Sequence, residues 1–510
     1  MSREPDHTWL RSPTAGGPRV AEVVLVAGTV ILFGLVGALV PILGAVGHEK
    51  TVVLLCLLPL AYFVPTLVER KSALAVIALP LLMIAVPALF ALAAYPGFHD
   101  LSLLEVSWWA AALILLLKAE TPGHGVVFAG LRRVPWAFMA LYFLGASVAF
   151  VVGTHAIEDL GGLRTLTVFP LVILVVLALA INKVDDAYRA LALLAAGSAV
   201  LALVFLLRND LGPWVQSGTY GAFQGRASMV MSVPYLGSLE IDPAGAGDKF
   251  AFVAIVGWFL QFFGLTRVQR VLGWIVWGLS TAVAITAQGR GGLMAIVAGM
   301  AVLSLWRLKS SSVRRLRIAI TAGAGAAILG GAMWWALTSN WSPLFRERII
   351  GALSNPSSDA HFVGRIVLWR LGIRELVSHP AGIGFSGFVY PQAPTWGVHN
   401  LWLFVGLSFG WLGLMGLVLT LVWLLGKFLS SVRARQAPVQ NLGILGITAL
   451  LCVAVAGQFS PLLWEPYTVV IVWGLLGICL AGGRLANDTH TRASGVFRGL
   501  RASESSPSKR

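Results

Sequence analysis

The 510-residue chain is 57% hydrophobic and only 12% charged, and its mean hydropathy is +0.83, far more apolar sequence than a water-soluble core needs. Its net charge of +15 falls mainly in the turns between apolar runs, which fits contact with membrane lipids and argues against nucleic acid as a partner. Cys56, Cys452 and Cys479 all lie within apolar runs, which argues against both a disulfide framework and a cysteine-ligated metal.

In chain order, residues 1–18 read as a disordered N-terminus, and apolar runs of about 18 to 25 residues then recur, each matched to the hydrocarbon thickness of a bilayer. The pattern predicts helices near Val20 to Val46, Thr51 to Leu67, Ser72 to Tyr95, Leu103 to Leu117 and Pro135 to Gly153. Further spans are predicted near Thr165 to Ile181, Ala190 to Leu207, Phe250 to Leu265, Val271 to Ala287 and Gly291 to Trp306. Four more fall near Ile318 to Leu337, Leu401 to Leu425, Leu442 to Gln458 and Tyr467 to Ala481. The expectation is an all-α, polytopic transmembrane bundle of about 12 to 14 helices over residues 19–483, followed by a basic, disordered tail at 484–510. The first run is longer than the apolar core of a signal peptide, so no cleaved leader is expected.

With both termini placed in the cytoplasm, about 26 of the 37 Lys and Arg fall on the inner side and about 11 on the outer. The strongest inner markers are "RLKSSSVRRLR" at 307–317 and "KFLSSVRAR" at 427–435. The outer face then consists of short turns and two long loops, 209–248 and 339–399, a length usually retained for function. Outer arginines are the ones that need explaining. Arg226 lies in the first loop, Arg290 in the turn "TAQGRGG", and Arg346, Arg348, Arg365, Arg370 and Arg374 in the second.

Within the second loop, "VGRIVLWRLGIRELVSHPAGIGF" places Ile366, Leu368, Trp369, Ile373, Leu376 and Val377 beside Arg370 and Arg374. That spacing predicts an amphipathic helix at the outer membrane surface, whose arginines would at the least touch headgroups. Pro380, Gly382 and Gly384 then stop it. His399 and Asn400 follow just where the chain enters the next apolar run. A histidine there can be solvated or capped, or it can move a proton near neutral pH.

The order of a small-residue-Arg-Gly turn, a long outer loop with "GRIVLW", then "HPAGIGFSGF" and "VHNLWLFVGLSFGWLGLMGL" resembles the O-antigen ligase and polymerase family of bacterial membrane glycosyltransferases. The match is most specific over about Val363 to Leu417. The resemblance implies a GT-C-like fold in the bacterial inner membrane. It also implies an enzyme that moves a glycan from an undecaprenyl diphosphate carrier to an acceptor sugar of a glycan or glycolipid. By position it offers Arg290 and Arg365 as contacts to the donor diphosphate and His399 as the base. Arg226, Arg370, Trp369 and Asn400 are the further substrate-binding candidates; Arg226 sits in a loop that fits the family pattern less well.

The residue chemistry agrees with those roles. Guanidinium groups bind a diphosphate through paired hydrogen bonds and stabilise the charge that grows on it as the glycosidic bond breaks. A neutral imidazole can take the proton of an attacking hydroxyl. Asp210, Asp242, Asp248 and Asp359 lack metal-ligand spacing, so no metal or other cofactor is expected. Glu465 in "PLLWEPY" is the alternative base, or a carboxylate that pairs with an arginine near the substrate. Two readings from other classes stay open: a transporter of an anionic or lipid-linked solute, and a non-catalytic partner in a glycan export complex built on glycine-rich packing such as "TAGAGAAILGGA".

Overall fold

Apolar periodicity dictates helices nearly everywhere. The computed structural model describes residues 73–85, 103–119, 134–152, 159–208, 215–217, 229–233, 237–241, 243–287, 289–308, 360–385, 387–390, 393–463 and 467–483. All but Val233 belong to one packing unit. The predicted spans 20–46, 51–67 and 318–337 and both termini lie outside the described residues.

The helices are α1 (Ala73–Leu82), α2 (Leu103–Ala119), α3 (Trp136–Val152), α4 (Asp159–Leu163), α5 (Phe169–Ala180) and α6 (Val184–Leu206), with a π-helical turn, Arg164–Val168, joining α4 to α5. They continue as α7 (Pro243–Phe263), α8 (Arg267–Thr286), α9 (Arg290–Leu308), α10 (Ala360–Ser378), α11 (Leu401–Val432) and α12 (Ala437–Ala456), and end with α13, Tyr467–Gly483. Among the described residues, seven helices are long and apolar enough to cross a membrane: Gly161–Ala180, α6, Gly245–Phe263 within α7, and α8, α9, α11 and α12. Trp136–Val152, Tyr467–Gly483 and a segment of α2 are shorter apolar helices. The protein is a mostly helical, multi-pass membrane protein.

Several boundaries depart from expectation. Helix α8 begins at Arg267, ahead of the expected Val271, because Thr266 and Gln269 form a reciprocal cap: Gln269 N donates to Thr266 Oγ1 and Thr266 N donates to Gln269 Oε1, each at 3.2 Å. Helix α7 begins at Pro243 instead of Phe250, so the last residues assigned to the 209–248 loop are helical. The bundle is helical, as the all-α expectation has it, and strands are confined to short loop segments. The 209–248 loop carries a three-stranded sheet in the order β1 (Val215–Ser217), β2 (Met229–Val233) and β3 (Gly237–Ile241), in which β1 pairs antiparallel with β2. A second small sheet, β4 (Phe388–Tyr390) with β5 (Ala393–Pro394), lies before α11.

Helix α7 is the most enclosed span, with Phe250 through Val256 buried. It packs antiparallel against α8 at a glycine crossing, where a Cβ on Gly257 would lie 2.6 Å from Trp277 N. The α3–α11 pair uses the same device, since a Cβ on Gly416 would lie 2.6 Å from Tyr142 Cα. Helices α9 and α12 are fixed by Trp306 Nε1 donating to Asn441 Oδ1 at 3.3 Å and by the Cys452 thiol on Ala295 O at 3.5 Å. Arg164, in the π turn, forms a 2.7 Å ion pair with the fully buried Glu105 of α2. Removing one member of such a pair strands a charge away from water.

Helix α11 is not continuous. At Gly410 (φ 68°, ψ −176°) the backbone leaves the helix, in a region essentially reserved for glycine. The loop after α10 fills the break: Trp411 N donates to Pro380 O at 3.0 Å and Ile383 N donates to Leu407 O at 2.7 Å. Gly382 (φ 92°) sits at the same point, where a Cβ would lie 2.6 Å from Gly410 N. Pro380 and Gly382 thus do more than end α10. Pro380 O and Ile383 N satisfy backbone groups that a broken membrane helix would otherwise leave unpaired, and Gly382 lets the loop approach closely enough to do so.

Candidate functional site

One end of the bundle gathers the start of α7, the α8–α9 turn, the start of α11 and the end of α12. The α8–α9 turn is short because glycine permits contact that no side chain would. A Cβ on Gly289 would lie 2.7 Å from Gly247 Cα on α7, and Gly292 packs against Gly247 O. Arg290 is therefore the first residue of α9, partly exposed. The helix resumes with Leu293 N donating to Gly289 O at 2.9 Å.

The neighbouring position ties this turn to the rest. A Cβ on Gly291 would lie 3.0 Å from Phe459 Cβ and 3.2 Å from Asp248 Oδ1. Phe459 follows Gln458, whose Oε1 accepts from Asn400 Nδ2 at 3.3 Å. Leu401 N donates to Gly457 O at 2.7 Å. So the end of α12 bridges the Arg290 turn on one side and the His399–Asn400 corner on the other.

His399 is held from both sides. Asn400 caps α11, its Oδ1 accepting from Trp402 N at 3.0 Å and Leu403 N at 3.1 Å. On the other side, Trp369 Nε1 of α10 donates to Val398 O at 2.9 Å. Between these anchors His399 is the one non-glycine residue at positive φ (47°) among the described residues, a conformation that carries strain of order 1–2 kcal/mol. Strain kept at a corner fixed by its neighbours points to a side chain whose direction matters. His399→Gly is accordingly expected to melt above His399→Ala by up to about 1 kcal/mol, since only the former relieves the backbone. Thermal melts of the two purified variants check this.

Helix α10 has two faces, and they divide its arginines. Trp369, Gly372 and Leu376 face the core: a Cβ on Gly372 would lie 3.3 Å from Val398 Cγ1 and from Leu407 Cδ1, and Leu376 Cδ2 would meet one on Gly406 at 2.9 Å. Arg365, four residues before Trp369, shares that stripe by helical spacing and is partly buried. Arg370 and Arg374 are exposed, on a stripe with Val363, Val367, Ile373 and Val377. The expected single apolar face including Ile373 and Val377 is therefore replaced by an inward stripe and a mixed valine-arginine outer stripe. Arg370 is not brought to the His399 corner.

No protein-family model matches the chain, and no curated protein matches it.

Among the described residues there is no cluster of three or more His, Cys, Asp or Glu side chains that could hold a metal ion. Arg226 and Glu465 lie outside the described residues. Sequence reasoning weighed Asp248 only as a metal ligand and passed over Lys249 and Gln458 at this end; Asp248 and Lys249 are both buried in the first turns of α7. A polar Asp-Lys pair beside an apolar run reads as loop. Pro243 at the first helical position was the signal that the helix starts earlier.

The opposite end differs in character. Tyr188 OH donates to Pro438 O at 3.2 Å, bringing the starts of α6 and α12 together. Lys183, Arg267, Arg270, Arg433 and Arg435 in that region are all exposed turn or helix-end cations.

Proposed function

We propose that this protein is an O-antigen ligase or polymerase-like glycosyltransferase with a GT-C-like bundle, which transfers a glycan from undecaprenyl diphosphate to an acceptor hydroxyl on the outer face of the bacterial inner membrane. The observation that carries the reading is the meeting, at one bundle end, of the Arg290 turn and the His399 corner through residues 457–459, with Arg365 on the α10 stripe that packs against Val398, the residue before His399. Arg290 and Arg365 bind the donor diphosphate, the only cationic groups the step then requires. His399 takes the proton of the acceptor hydroxyl as its oxygen attacks the anomeric carbon. The carbon–oxygen bond to the diphosphate breaks, undecaprenyl diphosphate leaves with the electron pair, and the anomeric configuration inverts.

Purified protein incubated with undecaprenyl diphosphate glycans and a glycan or glycolipid acceptor is expected to release the carrier in proportion to product. No release with any donor, together with movement of the lipid across proteoliposomes, would turn the reading to transport. A specific feature favours that second reading: the α11 break filled by backbone from the preceding loop is a device that transporters use.

Orientation has its own check. With the exposed cations of the opposite end retained in the cytoplasm, a cysteine at the exposed Ser378 reacts with an impermeant thiol reagent from the periplasmic side. Labelling only after the cytoplasmic side is opened would reverse the topology. Cys452 and Cys479 are buried, and Cys56, outside the described residues, is replaced by Ser in the labelled protein and in its control.

A further inference from the structure

We infer that Asp248 is a positioning residue for Arg290, acting through the first turn of α9; the inference rests on the donor-site reading above for its consequence, though not for its geometry. Asp248 is 3% exposed and Lys249 1% exposed, so two adjacent charges are buried in a helix that is otherwise apolar from Phe250 to Leu260. Hydrophobic packing does not call for either. A buried carboxylate in such surroundings is expensive unless donors or positive charge face it.

The start of α9 offers such donors beside it. The first amides of a helix have no partner within the helix, and they carry the positive end of its dipole. Asp248 Oδ1 lies 3.2 Å from where a methyl on residue 291 would stand, which sets the carboxylate beside that first turn. Gly247, one residue earlier, touches Gly289 and Gly292, so residues 247 and 248 together form the seat on which the whole 289–292 turn rests. Phe459 packs against the same turn at Gly291. With the backbone of residues 289–292 fixed in this way, the direction in which Arg290 leaves the helix is fixed as well. Arg290 touches the donor; Asp248 holds the turn from which Arg290 projects.

The test uses the full-length protein in nanodiscs. Asp248→Asn keeps the shape and removes the charge. It is expected to melt near the wild type, to speed hydrogen exchange of the amides of residues 290–293, and to lower carrier release by about 10- to 100-fold, the scale of a small misplacement of a binding group. The double variant with Arg290→Ala is expected to release carrier no more slowly than Arg290→Ala alone, within twofold, since a positioning residue has nothing left to position. Multiplying losses, or unchanged exchange at 290–293, would overturn the inference. If Arg290→Ala retains full release while Asp248→Asn still speeds exchange, the donor reading fails and the positioning stands. Asp248→Ser, also uncharged, is the second variant should Asp248→Asn not accumulate, and is read in the same way.

Discussion

Replacing His399 by Ala is expected to reduce glycan transfer by 10²- to 10⁴-fold, about the contribution of one positioned general base, while the protein remains folded and still binds undecaprenyl diphosphate. The corner survives the change because its anchors are not His399 itself. Asn400 still caps α11, Trp369 still holds Val398 O, and Leu401 N still meets Gly457 O. Arg290→Ala and Arg365→Ala are expected to behave differently, weakening donor binding along with transfer, since in the proposed reaction each guanidinium contacts the diphosphate before and during the step. Donor titrations of carrier release separate the two classes. Full-rate transfer by His399→Ala would remove the base from the mechanism and leave the arginines to be explained as an anion-binding site without chemistry.

The largest effect on stability is expected from Gly410→Ala. The residue combines a backbone conformation open essentially to glycine alone with a Cβ position 2.5 Å from Pro380 O. The strain and the overlap together amount to at least about 3 kcal/mol, enough to shift the break or expel the 380–383 loop. Gly426 in the same helix is the matched control. Nothing lies within 4 Å of a Cβ there, and alanine is the better helix former by about 1 kcal/mol. Melting of both variants in detergent is the measurement. If Gly410→Ala melts with Gly426→Ala, the break is not a feature of the native helix.

How much of this was legible in the sequence depends on the residue. Hydropathy alone located the seven membrane-length helices among the described residues, because twenty apolar residues in a row have few other uses. It misplaced the starts of α7 and α8, since polar residues at a helix start are counted as loop even where Thr266 and Gln269 cap it. The stop after α10 was readable from Pro380, Gly382 and Gly384. The break that receives them was not: Leu401 to Leu425 is one uninterrupted apolar run, and Gly410 is one glycine among 56. For the site, Arg290, Arg365 and His399 stood out by residue type and order. Their scaffolding did not, because Gln458, Phe459 and Gly247 act through contacts between segments far apart in the chain, and such contacts leave no local pattern.

The break at Gly410 also divides α11 by solvent. At about 1.5 Å per residue the whole helix would run about 48 Å, well beyond the roughly 30 Å of hydrocarbon. Before the break, Leu401, Phe404, Val405, Leu407 and Phe409 are all enclosed by protein. After it, Trp411, Met415, Val418, Val422, Leu425 and Leu429 are exposed at alternating steps of four and three, a single lipid-facing stripe. Residues 411–432 alone span about 33 Å, the thickness of the bilayer's interior. Gly410 is thus a joint between a membrane-matched rod and a protein-bound one. A change in bilayer thickness is expected to tilt the rod after the joint, while the bonds of Leu401 N to Gly457 O and of Trp369 Nε1 to Val398 O keep the segment that carries His399 in register with α10 and α12.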